Sequence, residues 1–440
     1  MKVQPTFARW WCAVGRLVTT RGFRAIGVAV AAAGLVSGCY GIRVTVQWPE
    51  PAPYRVMHEP TRFADDLDFA SLRKALEASE QYFAGAPRSA VYRLGGDSYT
   101  TQQIARSVRV FSRIVDSTDP RRLSRRLARE CRAYRPRQTA QFTAYYEPIL
   151  EASLRRTERF RYPIYRKPDE LTLVRLARFF PGDPRQFHGH VRGGELFPYL
   201  TREEIDGRGL LRGRGLELAW VDDPVALYFL HVQGSGRLRL RDGRVMRINY
   251  AASNGLPYFS VGRYLLDQGM IERGSVGAIR AYLEANPERR DEILFKNPRY
   301  IFFREVELSD DEGPVGSLGV PLVAGRSVAT DHRFVPPGAV VFIDTKQPRV
   351  DSAGRLIGWK PLERFAVNLD SGAAIKGPAR VDIYWGEGEQ AGTVAGYMNQ
   401  PGRLTVLICG VRPYRTLVAR GALFDWQRVP WPAASGAAGL

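Results

Sequence analysis

Three aspartates in the last third of the chain have the type and setting for acid–base chemistry. Asp331 stands in "VATDHRFVPPG", Asp370 in "NLDSGAAIKG" and Asp382 in "RVDIYWG". Asp370 and Asp382 are twelve residues apart, with Gly372, Lys376, Gly377 and Pro378 between them. Such a stretch reads either as a surface hairpin or as one wall of a catalytic pocket. In a pocket, a carboxylic acid gives a proton and a carboxylate takes one, which is the material of general acid–base catalysis. Asp331 precedes a Pro-Pro-Gly turn and Asp370 precedes Ser371-Gly372, settings in which aspartate commonly bonds nearby backbone N–H groups. Asp382 differs, because it sits between apolar strand formers. Strand alternation leaves it two outcomes, solvent or a cleft.

Other chemistries find little support. The five histidines are too few and too poorly spaced for a metal centre; His188 and His190 form a pair with no evident third ligand. No metal and no cofactor is expected. There is no G-x-S-x-G elbow and no Cys–His couple. The formal charge of +19 favours an anionic partner, and only seven of the 64 basic residues are Lys. The densest basic run, Asp119–Arg137, reads as a solvated helix face. Without a zinc finger, a P-loop or an aromatic RNA-binding signature, nucleic acid is not an expected partner.

Upstream, Leu67–Phe83, Gln102–Phe111 and Arg121–Tyr134 show the apolar spacing of helices. Thr139–Arg155 turns strand-like, and Arg161–Pro168 is a short strand closed by proline. Thr201 and Glu204 form a capping box before Ile205. The run from Gly215 to Ala252 reads as a helix, a long strand, a Gly-rich turn and two further strands, with a hairpin at Asp242-Gly243. Ser260–Gln268 and Gly274–Glu284 read as helices. Five short strands and one short helix then fill the final third, a pattern that suggests a closed barrel. Cys131 and Cys409 suit either a disulfide or two buried thiols.

At the N-terminus, Arg16, Arg21 and Arg24 precede the apolar run Ala25–Val36, which is shorter than the roughly 20 residues a membrane span needs. This is the pattern of a secretory leader. It ends in "VSGC", which resembles a bacterial lipobox, so Cys39 is the expected lipidation site. Tyr40 in place of Asp favours the outer membrane by resemblance to known sorting rules.

Several stretches together resemble the membrane-bound lytic murein transglycosylase A (MltA) family: "TAYYEP", "RYPIYRKP", "LHVQGSGRLRLRDG", "NPRYIFF", "SVATDHRFVPPG" and "VNLDSGAAIKGPARVDIYWG". They follow the family's order from about Thr143 to Leu407. The resemblance implies a mainly β fold with α elements: a double-psi β-barrel interrupted by a second, mostly β insert domain, with a cleft between them. The expected division is a leader over 1–38, a tether over 39–52 and a first barrel part over 53–142. The insert follows over 143–300, then a linker over 301–319, a second barrel part over 320–428 and a disordered tail over 429–440.

The family's essential carboxylate, in its "FDIY" element, falls on Asp382, with Val381 in place of Phe. Its "LD-x-G-G-A-I-K-G" aspartate falls on Asp370, with Ala373 at the second small position, and its aspartate before P-P-G falls on Asp331. The resemblance implies cleavage of peptidoglycan between N-acetylmuramic acid and N-acetylglucosamine. Asp382 would protonate the leaving oxygen and then take the proton of the muramic C6 hydroxyl, giving a 1,6-anhydro end. Asp370 would support it, and Lys376 would bond a sugar or Asp370. Tyr145 and Tyr146 would stack on sugars, Gln233 and Ser235 would bond acetamido groups, and Gly372 and Gly377 would admit the glycan close to the backbone. Glu147 is a second candidate acid. Expected partners are glycan strands, a membrane through the lipid, and proteins of cell-wall synthesis or division. Two rivals remain: an inverting glycosidase using Asp382 and Asp370, and a non-catalytic wall-binding lipoprotein.

Overall fold

A computed structural model describes residues 53–57, 62–86, 90–180, 186–309 and 311–413. The expected leader, Cys39, the tether and the tail lie outside these residues. The chain enters through β1 (Tyr54–Val56), α1 (Phe69–Gly85), the hairpin β2 (Val91–Leu94) and β3 (Asp97–Thr100), α2 (Thr101–Asp116) and α3 (Pro120–Glu130). The helix starts are chemically marked. Asp68 accepts the N–H of Ser71 at the head of α1, and Thr100 with Gln103 forms a capping box for α2. β4 (Cys131–Pro136) and β5 (Ala140–Glu147) follow. The helix expected over Arg121–Tyr134 thus stops at Glu130. From Cys131 the backbone pairs instead with the C-terminal strand, Cys409 opposite Cys131, and those two cysteines form a disulfide.

The middle of the chain supplies β6 (Ile149–Ser153), β7 (Tyr162–Tyr165), β8 (Thr172–Arg175), β9 (Gln186–Arg192), β10 (Glu195–Phe197) and β11 (Glu217–Val221). After these come α4 (Pro224–Gln233), β12 (Ser235–Leu240), β13 (Val245–Ser253), α5 (Val261–Asp267), α6 (Val276–Ala285), α7 (Pro287–Phe295) and β14 (Ile301–Glu305). Strand precedes helix here, the reverse of the sequence expectation. Asp223 caps α4 by accepting the N–H groups of Val225 and Ala226, and Pro224 occupies its first turn. A six-stranded sheet runs β14-β13-β12-β6-β11-β7. The expected linker from 301 therefore begins inside this sheet, because Ile301–Glu305 pairs with β13.

The last segment holds β15 (Ser327–Thr330), β16 (Val340–Val350), β17 (Leu356–Asp370), β18 (Arg380–Glu387), α8 (Gly388–Tyr397) and β19 (Asn399–Cys409). The order β19-β16-β17-β15-β18-β5 closes on itself through a β19–β5 pairing, giving a six-stranded barrel. The closing strand β5 comes from far earlier in the chain and runs through Glu147, so a boundary at 142/143 would cut it. Alternation sorts the side chains. Phe142, Val341, Ala366, Val381, Ile383 and Val406 fill the barrel. Phe342, Phe365, Val367 and Leu407 point outward and are covered by Leu72, Leu76, Val108 and Phe111 of α1 and α2. Among the described residues no helix is long and apolar enough to cross a membrane.

Candidate active site

Asp382 lies on β18 between two core residues, Val381 and Ile383, so the pleat turns it to the outer wall of the barrel. On that wall its register partner in the parallel strand β5 is Thr143. The Thr143 hydroxyl donates to Asp382 Oδ1 at 2.5 Å. Burial pushes the Asp382 carboxyl up to about 6; the Thr143 bond and the charge of Arg380 pull it down, and the charge of Asp370 pushes it further up.

Asp370 ends β17 and is held by three donors. Its Oδ1 accepts the N–H groups of Ser317 and Ser371, both at 2.8 Å, and its Oδ2 accepts the hydroxyl of Tyr145 at 2.7 Å. The ring of His332 meets the Asp370 carbonyl at 2.9 Å. Asp331 has a different task. Burial works against its ionisation, but bonds from the Arg333 side chain and from the N–H of Gly377 and of Arg333 hold its carboxyl down at about 2. It staples the 371–377 loop to the end of β15. Gly377 donates its N–H to that staple at φ +93, a conformation that side chains resist. Gly372 sits at the start of the same loop, its carbonyl accepting the N–H of Ile375. Lys376 is exposed and makes no ion pair among the described residues.

The two tyrosines of "TAYYEP" part company. Tyr145 shares the face of Thr143 and packs on Tyr384 with ring centroids 5.5 Å apart. Tyr146 points to the opposite face, where its ring lies against Gly392 of α8. One groove wall cannot present both, because neighbours on a strand face opposite ways. Gln233 is engaged on the chain itself, its Oε1 accepting the N–H of Tyr146 at 3.1 Å. Ser235 opens β12 and is buried. Next to it in β12, Gly236 is closely packed: a Cβ there would meet Leu230 Cδ1 at 2.4 Å and the Pro148 carbonyl at 3.2 Å. Glu147, the second candidate acid, is buried between two guanidinium groups, accepting from Arg237 at 3.0 Å and Arg247 at 3.3 Å. Arg237 also pairs with Glu387 of β18. Glu147 therefore joins the barrel to the second sheet. Among the described residues no three His, Cys, Asp or Glu side chains group as a metal site needs.

Residues 141–304 match the MltA specific insert domain, and residues 326–408 match the 3D domain. The crystal structure of a membrane-bound lytic murein transglycosylase from Agrobacterium tumefaciens is 32% identical, with 79% of this chain and 97% of that chain covered and a TM-score of 0.64. This chain belongs to the MltA family. Membrane-bound lytic murein transglycosylase A of Escherichia coli (strain K12) is 35% identical over 272 residues, 61% of this chain. That match spans 65% of the relative's own length, a little under two thirds. The structure of E. coli MltA with bound chitohexaose is 26% identical, covers 82% of this chain and 95% of that one, and has a TM-score of 0.61. The 3D match includes Asp331, Asp370 and Asp382, while the insert match includes Tyr145, Tyr146, Gln233 and Ser235.

Thr143, Ser317 and Arg333 escaped the sequence reading. Thr143 lies inside the family-like "TAYYEP", but nothing local to a threonine says that it will face a carboxylate 239 positions away.

Proposed function

We propose that this MltA-family chain is a lytic transglycosylase of peptidoglycan, with Asp382 as its single general acid and base. One observation carries the reading: the two carboxylates are unequally equipped. Asp382 is raised to about 6 and keeps one hydroxyl donor. Asp370 is tied to three donors, which leaves it ill placed to strip a proton from water. An inverting hydrolase needs a second carboxylate free to activate water. A transglycosylase does not, because the muramic C6 hydroxyl is the nucleophile. Protonated Asp382 gives its proton to the glycosidic oxygen as the C1–O bond breaks. The resulting carboxylate takes the C6 hydroxyl proton as that oxygen bonds to C1. The proton count returns to its start and no water is consumed.

Asp370, through Tyr145 and Ser317, would hold the wall against which the glycan lies, with Lys376 reaching it from the loop. The relative bound to chitohexaose supports a glycan in this cleft. The parallel pairings β5–β18 and β15–β17 within a closed barrel support a double-psi topology, split over 53–142 and 320–428 around the insert. Digestion of purified peptidoglycan in oxygen-18 water is the test. The expected products carry 1,6-anhydromuramic ends and no label. Labelled reducing ends in most products would overturn the reading and favour the hydrolase. A lipid on Cys39 would hold the chain at the outer membrane. A Cys39→Ser variant should lose incorporation of labelled fatty acid, and unchanged labelling would remove that anchor.

A further inference from the structure

Arg380 stands two residues before Asp382 on β18, on the same outer face. The partners of these two residues on β5, Gln141 and Thr143, are likewise two apart, so guanidinium and carboxyl occupy adjacent rungs of one ladder, roughly 7 Å along the strand. Four arginines in or beside the barrel strands are matched by a carboxylate, Arg326 by Asp65, Arg333 by Asp331, Arg364 by Asp66 and Arg403 by Asp344, whereas the exposed Arg349 of β16 has no ion pair among the described residues. Arg380 makes no ion pair among the described residues. Its recorded bond runs from Nη1 to the Gln141 carbonyl at 3.4 Å, beyond good hydrogen-bond length. It is half-buried, and among the described residues its five N–H groups have no strong acceptor.

That placement is costly for the proposed reaction. A cation beside a general acid favours the carboxylate, while the acid must begin protonated. The groups facing Asp382 are Thr143 and Tyr145 on β5, Asp370 at the end of β17 and Arg380 on its own strand, with Lys376, Asp331 and His332 in the adjoining turns. Of the described residues acting on Asp382, only Arg380 adds positive charge. The substrate class under the proposed function carries free carboxylates along the peptide arm of each muramic sugar, beyond the amide that joins the arm to the sugar's lactyl group.

Resting on the reading of Asp382 as that acid, we propose that Arg380 is a specificity residue whose guanidinium receives a carboxylate of the muramic peptide arm. The pairing has two effects. It selects glycan that carries the anionic arm, since guanidinium and carboxylate match in charge and fork geometry. It also cancels the cation's field at Asp382 when substrate is bound, so the acid keeps its proton in the complex more readily than in the free enzyme.

The test compares glycan strands bearing native peptide arms with the same strands after conversion of their carboxylates to amides. Wild-type kcat/KM is expected to fall roughly tenfold or more on the amidated strands. The Arg380→Gln variant is expected to fall as far on native strands and to treat the two substrates alike. On amidated strands, the high-pH decline of kcat/KM is expected to lie at higher pH for the variant than for the wild type, since the opposing cation is gone. Wild type that cuts both substrates equally overturns the proposal whether or not the variant folds. A variant that loses equally on both substrates, with an unmoved pH profile, also overturns it, since that is merely structural damage. Failure of the underlying function reads out separately, as wild-type products without 1,6-anhydro ends.

Discussion

Asp382 is set by its surroundings to favour a proton. Its folded carboxyl is raised to about 6 from an ordinary value of 3.8. Between those values the native state binds more protons than the unfolded chain, so this residue's contribution to stability falls as pH rises from about 4 to about 6. Above that window the folded protein holds an ionised, poorly solvated carboxylate. Asp382→Asn removes it and keeps the shape. The variant should therefore be more stable than wild type at about pH 7.5, by on the order of 1–2 kcal/mol, with the gain gone at about pH 4. Thermal melts at the two pH values check this, and equal melting at the higher pH would sink it. Under the proposed function the same change should cut glycan cleavage by roughly 10²–10⁴-fold, since the proposed general acid is lost. A variant keeping a tenth of the wild-type rate would exclude Asp382 as that acid. Gaining stability while losing activity would identify a group positioned for chemistry at a cost to the fold.

At the scale of elements, the aspartates were legible because all three lie in one region of sequence, each in a distinctive setting. Their partners were not, because pairing register is a long-range property. The closed barrel could be foreseen from short strands and Pro-Gly turns. Its sixth strand could not, since β5 precedes the other five by about 180 positions. The reversal at Glu217–Gln233 has a local cause. Short apolar runs of similar length serve as either strand or buried helix. The deciding signal, Asp223-Pro224, sits between the two runs and marks the second as the helix. The pair Tyr145-Tyr146 shows the same limit at finer grain. Adjacent aromatics in a strand suggest one sticky wall, yet β geometry divides them between two faces. Cys131 and Cys409 were undecided for a similar reason, as only the β4–β19 pairing brings them together.

For the whole molecule, one buried carboxylate stands at the joint between barrel and second sheet, beside the Arg237–Glu387 pair that also crosses it. Glu147 ends β5 with 1% of its side chain exposed, and it accepts from Arg237 of β12 and Arg247 of β13. Glu147→Gln would leave Arg247, itself 4% exposed, without its ion partner. The expected loss is about 3–5 kcal/mol, read by denaturant unfolding. A loss below about 1 kcal/mol would mean that the joint is held elsewhere. The barrel's closing strand also governs timing. Thr143 and Asp382 are 239 positions apart, so the acid meets its hydroxyl donor only when late strands fold back onto an early one. The edge of β5 stays unpaired until β18 and β19 fold back onto it, a non-local assembly of the kind that folds slowly. A chain ending before β18 holds the six-stranded second sheet and lacks Asp382, the proposed acid. Under the proposed function, competence to cut arrives only with the completed fold, because β18 brings Asp382 and β5 brings its partner Thr143.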